Sequence, residues 1–407
     1  MKIRDNFLYY ARPYFDEQEI QAVADVLRSG WWTKGQVTVS FEEQFAERVG
    51  AKYALAVNSC TAALHLAMAV HGFGPGDEIL TTPMTFCSTV NTILNCGATP
   101  VFVDTDPETG LIDPDALAAA ITPRTKGIVP VHYAGLVCDM DAIQSLKERY
   151  GLAVVEDAAH ALTSRYHGKP VGSFGNATCF SFYVTKNMST GEGGMLTSDD
   201  AAFIDKARVL SLHGMNHDAW KRYGSKGSWQ YAVEEAGFKY NTTDIASALG
   251  LEQLKKLDRM QTVRKQYAAL YDARLAECDA VNRVKPGPGV ESSEHLYVLK
   301  LDLERLTIDR AAFIEKLADY KIGTSVHFIP LHLQPLYQRT LGTKKGDFPH
   351  CEAYFDRIVS LPLYPSMTVE DIEYVADAVC EIAAKYHKYR DGAVRSSAGK
   401  TTLDPFG

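Results

Sequence analysis

Between residues 41 and 209 the hydrophobic pattern alternates between short apolar runs and stretches of helical spacing. Phe41, Phe45 and Val49 repeat at the spacing of one helix face. Further helices are predicted at residues 61–71, 85–96 and 140–150. Strands are predicted at residues 53–57, 78–82, 99–104, 126–131 and 152–155. Because these strands are apolar and rich in β-branched residues, we expect a mostly parallel sheet with helices on both faces, an α/β fold.

Two more predicted strands, at residues 177–182 and 194–197, enclose a glycine-rich segment that begins at Lys186. The segment between them is too short to hold a crossover helix. We therefore expect a tight connection here, and we expect it to carry function.

The C-terminal part has a different pattern. A long helical pattern over residues 245–276 is predicted to link two domains. A small α+β domain is predicted after it, from strands at residues 296–301 and 323–328 and helices at residues 309–320 and 369–384. Residues 390–407 lack apolar periodicity and are predicted to be disordered.

Charge and composition narrow the function classes. The chain has 407 residues, with 42 Lys and Arg against 50 Asp and Glu, a formal charge of −8. It has no long basic run, which argues against nucleic-acid and anionic-membrane partners. No stretch approaches the apolar length of a membrane span. The charged residues 1–12 do not resemble a secretory signal, so we expect a cytoplasmic protein.

The eight cysteines are scattered and form no CxxC pair. This disfavours both a zinc ribbon and a dithiol redox motif, and it predicts buried thiols in a reducing compartment. No metal site is predicted.

The strongest candidate chemistry lies between residues 154 and 194. Asp157 directly follows an apolar strand, where open α/β sheets bind their ligands, and Lys186 follows the strand that contains Ser181. Taken singly, each has an ordinary explanation: Asp157 as the N-cap of an Ala-rich helix, and Lys186 as a solvated loop residue. Gly191, Gly193 and Gly194 could form a simple turn. The combination, in this order and spacing, is far more specific.

These runs, EDAAHA, FSFYVTKN and GEGG, resemble the DegT/StrS family of pyridoxal-phosphate-dependent sugar aminotransferases. Further similar blocks are AVNSCTAALHLA, TTPMTF, KYNTTDIASALGLEQL, SVHFIPLH and SLPLYPSMT. The resemblance implies an aspartate aminotransferase-like fold type I, with a large domain and a small C-terminal α+β domain. It implies an N-terminal segment with a substrate-side loop at residues 1–40 and a large PLP-binding domain at residues 41–255. A small C-terminal domain would follow at residues 256–389, and a tail at residues 390–407.

The resemblance assigns the cofactor, pyridoxal 5′-phosphate (PLP), to particular residues. Lys186 would form the internal Schiff base, since only a primary amine condenses reversibly with the aldehyde, and it would also shuttle protons. Asp157 would pair with the pyridine nitrogen and keep it protonated. Cys60 and Thr61 at a helix start, with Ser181, would bind the phosphate. Relatives usually have Gly or Ala at the position of Cys60.

Two side chains would contact the ring of the cofactor. Phe86 resembles the aromatic residue that stacks on the ring, although core packing would also explain it. His160 lies three residues after Asp157, on the same helical face, and resembles the Gln or His that relatives place against the 3-hydroxyl. An isolated histidine would more often be structural.

Asn241 is the predicted residue that needs a second subunit. In the family, this asparagine reaches across a dimer interface to the phosphate of the neighbouring site, so the resemblance implies a homodimer with shared sites. Without the family context, a turn or N-cap asparagine would be the preferred interpretation.

The resemblance also implies the reaction. L-glutamate would convert PLP to pyridoxamine phosphate, and a nucleotide-linked keto sugar would then accept the amine. The blocks VHYAG, KYNTTDI and GTSVHFIPLH look most like the branch that aminates C4 of UDP-4-keto sugars, including UDP-4-amino-4-deoxy-L-arabinose synthesis for lipopolysaccharide. Predicted substrate contacts are Thr33, His327 and His332.

Other functions stay open at this point. TDP- or GDP-linked 3- or 4-keto sugars are alternative acceptors, since their enzymes share most of these blocks. A dehydratase relative would have histidine in place of Lys186, and a regulatory PLP-binding protein would lack Lys186 or Asp157. A generic amino-acid aminotransferase would need an arginine clamp, which the pattern does not reveal.

Overall fold

The computed structural model describes residues 1–216 and 231–388 of the chain. Thirteen strands are described: β1 (Tyr53–Val57), β2 (Glu78–Thr81), β3 (Thr99–Phe102), β4 (Thr125–Val129), β5 (Ala153–Asp157), β6 (Arg165–Tyr166), β7 (Lys169–Pro170), β8 (Ala177–Ser181), β9 (Gly194–Ser198), β10 (Val281–Arg283), β11 (Val290–Glu291), β12 (Tyr297–Leu301) and β13 (Ile358–Leu361).

A seven-stranded sheet in the order β1-β9-β8-β5-β4-β2-β3 forms the centre of the large α/β unit. Strand β9 runs antiparallel to both of its neighbours, and the pairings from β8 to β3 are parallel. The seven strands predicted between residues 53 and 197 all form, with ends shifted by at most a few residues, and the mostly parallel arrangement is confirmed. The connection that contains Lys186 is short, as predicted, because it joins two antiparallel neighbours.

Helices cover this sheet on both faces. The described helices that precede the C-terminal part are α1 (Glu17–Ser29), α2 (Gln36–Val49), α3 (Cys60–His71), α4 (Cys87–Asn95), α5 (Pro114–Ala119), α6 (Met140–Tyr150) and α7 (Ala201–Leu210). On one face, Phe45 of α2 packs edge-on against Phe180 and Phe182 around β8, and Phe41 contacts Phe182 at a tilted angle. On the other face, α3 contributes apolar side chains that are almost completely buried. This double cover explains why apolar residues predominate on both faces of the strands.

The long helix α8 (Asp244–Leu275) runs from the large unit into the C-terminal part. Its first half packs with α1 and α2, and its second half belongs to the C-terminal core with Tyr267 and Tyr271. Strands β10, β12 and β13 form an antiparallel sheet there. The helices of this part are α9 (Arg310–Asp319), α10 (Pro335–Leu341), α11 (Pro349–Phe355) and α12 (Val369–Lys385). An α+β C-terminal unit is therefore present, while the predicted boundaries 41–255 and 256–389 stay predictions.

The N-terminal segment packs on the C-terminal unit. Leu8 is 4% exposed and forms an isolated parallel bridge with Ile322. Its N–H donates to the carbonyl of Lys321 at 2.9 Å, and its carbonyl accepts from the N–H of Gly323 at 2.8 Å. The chain thus begins on the smaller unit before it enters α1.

Two sequence-based expectations are wrong. The strand predicted at residues 323–328 does not form, because its backbone is shared between two neighbours: Gly323 bonds to Leu8, and only Ser325 bridges to Ser360 of β13. The helix expected after Asp157 does not form either. The chain makes successive turns there, and Thr163 has a φ of 78°, which ends any right-handed helix. The predicted disordered tail lies outside the described residues.

Candidate active site

A cavity of about 520 Å³ opens at the carboxyl ends of the parallel strands. Strand β5 brings Asp157 to its edge, β8 brings Ser181, and the residues just beyond β2 bring Thr85 and Phe86. The cavity is lined by Ser59, Cys60, Thr61, Thr85, Phe86, Ser88, Val131, Asp157, Ala159, His160, Ser181, Tyr183, Thr185, Lys186, Glu192, Gly193, His327 and Phe328.

Lys186 lies in the short connection between β8 and β9 and lines the cavity, from which its side chain is partly accessible. The surrounding protein lowers the pKa of Lys186 to about 8, because burial penalises the ammonium form. The negative charge of Asp157 opposes this shift. At neutral pH a useful fraction of this amine is therefore unprotonated and nucleophilic.

Asp157 is 5% exposed at the end of β5. Thr89 Oγ1 donates to its Oδ2 at 2.7 Å, and the N–H of Ala159 donates to its Oδ1 at 3.1 Å. Burial raises the pKa of this carboxyl, while the two hydrogen bonds and nearby Lys186 act against that rise. Asp157 does not cap a helix, because no helix follows it; the N–H of Ala159 that it accepts from belongs to a turn.

The start of α3 lines the same cavity as Lys186. Ser59 caps the helix by accepting from the N–H of Ala62 at 3.1 Å. The N–H groups of Cys60 and Thr61, at the first two positions of the helix, have no intrahelical acceptor. Cys60 and Thr61 line the cavity at this helix start, and Ser181 lies opposite Gly194 across the β8–β9 pair. A Cβ atom on Gly194 would lie 2.5 Å from the N of Cys60, so glycine is required for this close approach.

Phe86 lines the cavity with 59% of its surface exposed. Core packing does not explain it. Its ring offers an uncovered apolar surface on which a flat aromatic group can stack.

His160 lies on the same cavity wall and is held in one tautomer. The N–H of Ala134 donates to its Nδ1 at 3.2 Å, so Nε2 carries the ring hydrogen. Burial and the positive charge of Lys186 lower the pKa of His160 well below its usual value, which keeps the ring neutral. Ala134 has a φ of 59°, a left-handed conformation that presents its N–H to the ring.

Two further histidines surround this position. His295 Nδ1 pairs with Asn187 Oδ1 at 2.9 Å, and Asn187 directly follows Lys186. His327 lines the cavity and pairs through Nδ1 with Ser360 Oγ at 2.9 Å. Burial and the charge of Lys186 lower the pKa of His327 to about 3. Burial also lowers the pKa of His295, whose ring lies 4.5 Å from that of His160, so three neutral imidazoles lie close together near Lys186.

The structure brings most predicted site residues together in this cavity, namely Cys60, Thr61, Phe86, Asp157, His160, Ser181, Lys186 and His327. Thr33 and Asn241 instead line a second cavity of about 810 Å³. His332 is fully buried, and its Nε2 pairs with Glu352 at 2.9 Å, away from both cavities.

Sequence reasoning missed several contributors. Thr89 is hydrogen-bonded to Asp157, but the two residues are too far apart in sequence for any local pattern to pair them. Tyr183 and Thr185 also line the cavity, and their closeness to Lys186 was an available signal. Asn187 and His295 could not be paired before the fold was known.

The donor set fits PLP. A buried carboxylate, a lysine with a lowered pKa, an uncovered aromatic face and a helix start suited to a phosphate line one cavity. Among the described residues no group of three or more His, Cys, Asp and Glu side chains could hold a metal ion. Within that same part of the chain, every helix is too short or too polar to cross a bilayer.

Comparison with known proteins gives the same picture. The model of the DegT/DnrJ/EryC1/StrS aminotransferase family matches residues 13–380. The spore coat polysaccharide biosynthesis protein SpsC of Bacillus subtilis is 52% identical over 380 residues, which cover 93% of this chain and 98% of SpsC.

Two proteins of known structure are also similar over almost their whole length. Spr1654 from Streptococcus pneumoniae, in its pyridoxamine phosphate form, has a TM-score of 0.87 at 34% identity, covering 93% of this chain and 99% of that one. The same protein is also solved in a PLP form. Helicobacter pylori PseC, an aminotransferase involved in the biosynthesis of pseudoaminic acid, has a TM-score of 0.87 at 32% identity, covering 94% and 100%. The chain therefore belongs to the DegT/DnrJ/EryC1/StrS aminotransferase family, and it is a fold type I sugar aminotransferase that uses PLP.

Proposed function

We propose that this enzyme transfers the amino group of L-glutamate to the C4 keto group of a nucleotide-linked sugar, with a UDP-4-keto sugar as the preferred acceptor. The observation that carries the transamination is Lys186, whose pKa of about 8 leaves its amine reactive beside the Asp157 carboxylate. The blocks VHYAG, KYNTTDI and GTSVHFIPLH support the choice of UDP and C4. The names of SpsC and PseC support a role in making a surface glycan.

The residues of the cavity divide the chemistry among them. When bound, PLP supplies an electron sink that lets the carbon bearing the amino group lose a proton. Lys186 Nζ moves that proton, since it titrates close to neutral pH. The carboxylate of Asp157, which Thr89 fixes by a hydrogen bond, would stabilise the protonated form of the pyridine nitrogen. His160 presents its Nε2–H as a neutral donor.

We propose that His327, on the cavity wall, contacts the sugar. Its Nδ1 is paired with Ser360, which leaves Nε2 of the neutral ring to form a hydrogen bond with a sugar hydroxyl group. Thr33 is exposed on the second cavity and is proposed to contact a sugar in the neighbouring subunit. His332 is not included among the proposed sugar contacts, because its side chain is buried and paired with Glu352.

We also propose a homodimer with shared active sites. Asn241 and Thr33 share the second cavity rather than the cavity of Lys186, as expected if both serve another copy of the chain. The Oδ1 atom of Asn241 is buried and has no hydrogen-bond partner within the described chain. We also propose that the enzyme is cytoplasmic, as expected from its N-terminal residues.

The experiment is an absorbance titration of the purified, PLP-loaded enzyme. L-glutamate alone is expected to remove the visible band and produce the pyridoxamine form, while D-glutamate serves as the control. UDP-, TDP- and GDP-linked keto sugars are then offered to the aminated enzyme. Return of the visible band with the UDP-4-keto sugar supports the proposal. Return only with a TDP or GDP sugar would assign the other nucleotide, and no response to L-glutamate would refute the donor.

A further inference from the structure

The first residue of α8, Asp244, is a buried carboxylate that the reaction does not use. It is 3% exposed, yet it is paired with no lysine or arginine at hydrogen-bond distance among the described residues. Its oxygens accept from the N–H of Gly35 at 2.7 Å, from the N–H of Thr38 at 3.0 Å and from Thr38 Oγ1 at 2.6 Å. The carboxylate thus binds the N-terminus of α2, where the helix dipole stabilises a negative charge.

The backbone of the same residue holds residues 32–35, which we call the substrate-side loop. The N–H of Asp244 donates to the carbonyls of Trp32 and Thr33, each at 3.2 Å, and Thr33 forms an antiparallel bridge with Thr243. A Cβ atom on Gly35 would lie 2.6 Å from Asp244 Oδ2, so the loop and the carboxylate are in close contact. Both ends of the loop are therefore fixed to one residue.

Asn241 lies three residues before Asp244 in the chain. Asn241 bridges to Val57 at the end of β1, and the N–H of Asn58 donates to the carbonyl of Tyr240 at 2.8 Å. The segment 240–244 consequently runs from the turn between β1 and α3 to the substrate-side loop. Thr33 and Asn241 line the same cavity because this segment sets their spacing.

We propose that Asp244 is a positioning residue that sets the substrate-side loop and Asn241 in one register, so that one subunit presents both to its neighbour. The inference rests on the proposed sharing of sites in a dimer. A carboxylate that only caps α2 would affect stability alone. A carboxylate that sets the register also affects how tightly the sugar and the cofactor are held.

The test substitutes Asp244→Asn, which keeps the size but turns one acceptor oxygen into a donor facing N–H groups. The KM for the keto sugar is expected to rise at least about tenfold, the effect of a small displacement of a contact. Cofactor retention on dialysis is expected to fall, and the rate of the L-glutamate half-reaction to stay within about threefold. Asp309→Asn is the matched control, because Asp309 caps α9 in the C-terminal unit by accepting from Ala312 at 2.8 Å.

A second pair of variants keeps the test sound if Asp244→Asn does not fold. Thr38→Val removes the 2.6 Å bond to Asp244, whereas Ser247→Ala removes only the 2.9 Å bond between Ser247 and Thr38. A rise in the sugar KM is expected for Thr38→Val and not for Ser247→Ala. Equal effects of the two substitutions would overturn the proposal.

The outcomes separate this inference from the proposed function. If Asp244→Asn melts at a lower temperature but keeps the sugar KM and the cofactor retention of the wild type, the residue is a helix cap and the inference is wrong. If the wild type aminates no sugar offered, the proposed acceptor is wrong, and the inference is judged on cofactor retention alone. Retention equal to that of the wild type would then overturn it.

Discussion

At the scale of single residues, the site depends on what surrounds each polar group. Lys186, His160 and His327 all have a pKa lowered by burial, while burial raises the pKa of Asp157. Burial penalises each charged form, so the cavity holds neutral histidines and an amine that titrates near neutral pH. Such perturbed groups are typical of functional sites.

Lys186→Ala is expected to lower turnover by at least about 10³-fold, because both the covalent attachment and the proton transfer are lost. The measurement is L-glutamate-dependent amination, with the absorbance spectrum as a second readout. Lys285→Ala, at an exposed position, is the control and is expected to keep full activity. Substantial amination by Lys186→Ala, with an intact circular dichroism spectrum, would refute the assigned role.

The rate of PLP capture by cofactor-free enzyme is expected to rise with pH through a midpoint of about 8, since only the unprotonated Lys186 amine reacts. An ordinary lysine would give a midpoint near 10.4. Asp157→Asn is expected to lower the midpoint further, because the negative charge of Asp157 favours the ammonium form. Stopped-flow absorbance checks this, and a higher midpoint in Asp157→Asn would contradict it.

The residue types of the site could be predicted from the sequence, but their partners could not. Lys186, Asp157 and Ser181 stand close to apolar strands, which signalled the cavity. Thr89 lies on a separate helix, and nothing in the sequence links it to Asp157. A motif specifies which groups are present, whereas hydrogen bonds between distant segments depend on how those segments pack.

At the scale of elements, the close contact between β9 and the start of α3 is critical. Gly194→Ala is expected to push α3 away, because its Cβ would meet the backbone of Ser59 and Cys60 at 2.5 Å. We expect a loss of about 1–3 kcal/mol in the free energy of unfolding and at least about tenfold weaker PLP binding.

The control is Gly287→Ala, where a Cβ meets nothing within 4 Å. It is expected to leave PLP binding unchanged. Fluorescence titration with PLP and thermal melting check both variants. If Gly194→Ala binds PLP as tightly as Gly287→Ala does, the helix start is not the phosphate site.

Elements with a strong period were predicted well, and elements without one were missed. Buried strands of the large sheet stand out because apolar residues predominate on both of their faces. Helix α1 was missed because, of its residues, only Glu19 and Val26 are buried, while Ile20 and Leu27 are exposed. The strand expected at residues 323–328 has a strand-like composition, but its hydrogen bonds go to two different neighbours, so no ladder forms.

At the scale of the whole molecule, the question is which subunit supplies Asn241. Asn241→Ala is expected to weaken PLP retention. Refolding an equal mixture of Lys186→Ala and Asn241→Ala subunits is expected to restore about a quarter of the wild-type sites, because half of the dimers are mixed and each holds one complete site. Single-turnover amination measures the restored sites. If mixing restores none, Asn241 acts within its own subunit.

The antiparallel position of β9 also has a consequence for how the protein acquires its cofactor. The β8–β9 pair joins strands adjacent in sequence, whereas the pairing of Val57 with Gly194 closes a loop that contains every intervening strand. Local pairs form early in folding, and long loops close late. The β8–β9 pair, whose connection contains Lys186, is therefore expected to form before β1 pairs with β9 and brings the start of α3 beside it. During refolding from denaturant, recapture of PLP is expected to lag behind the recovery of the helical circular dichroism signal.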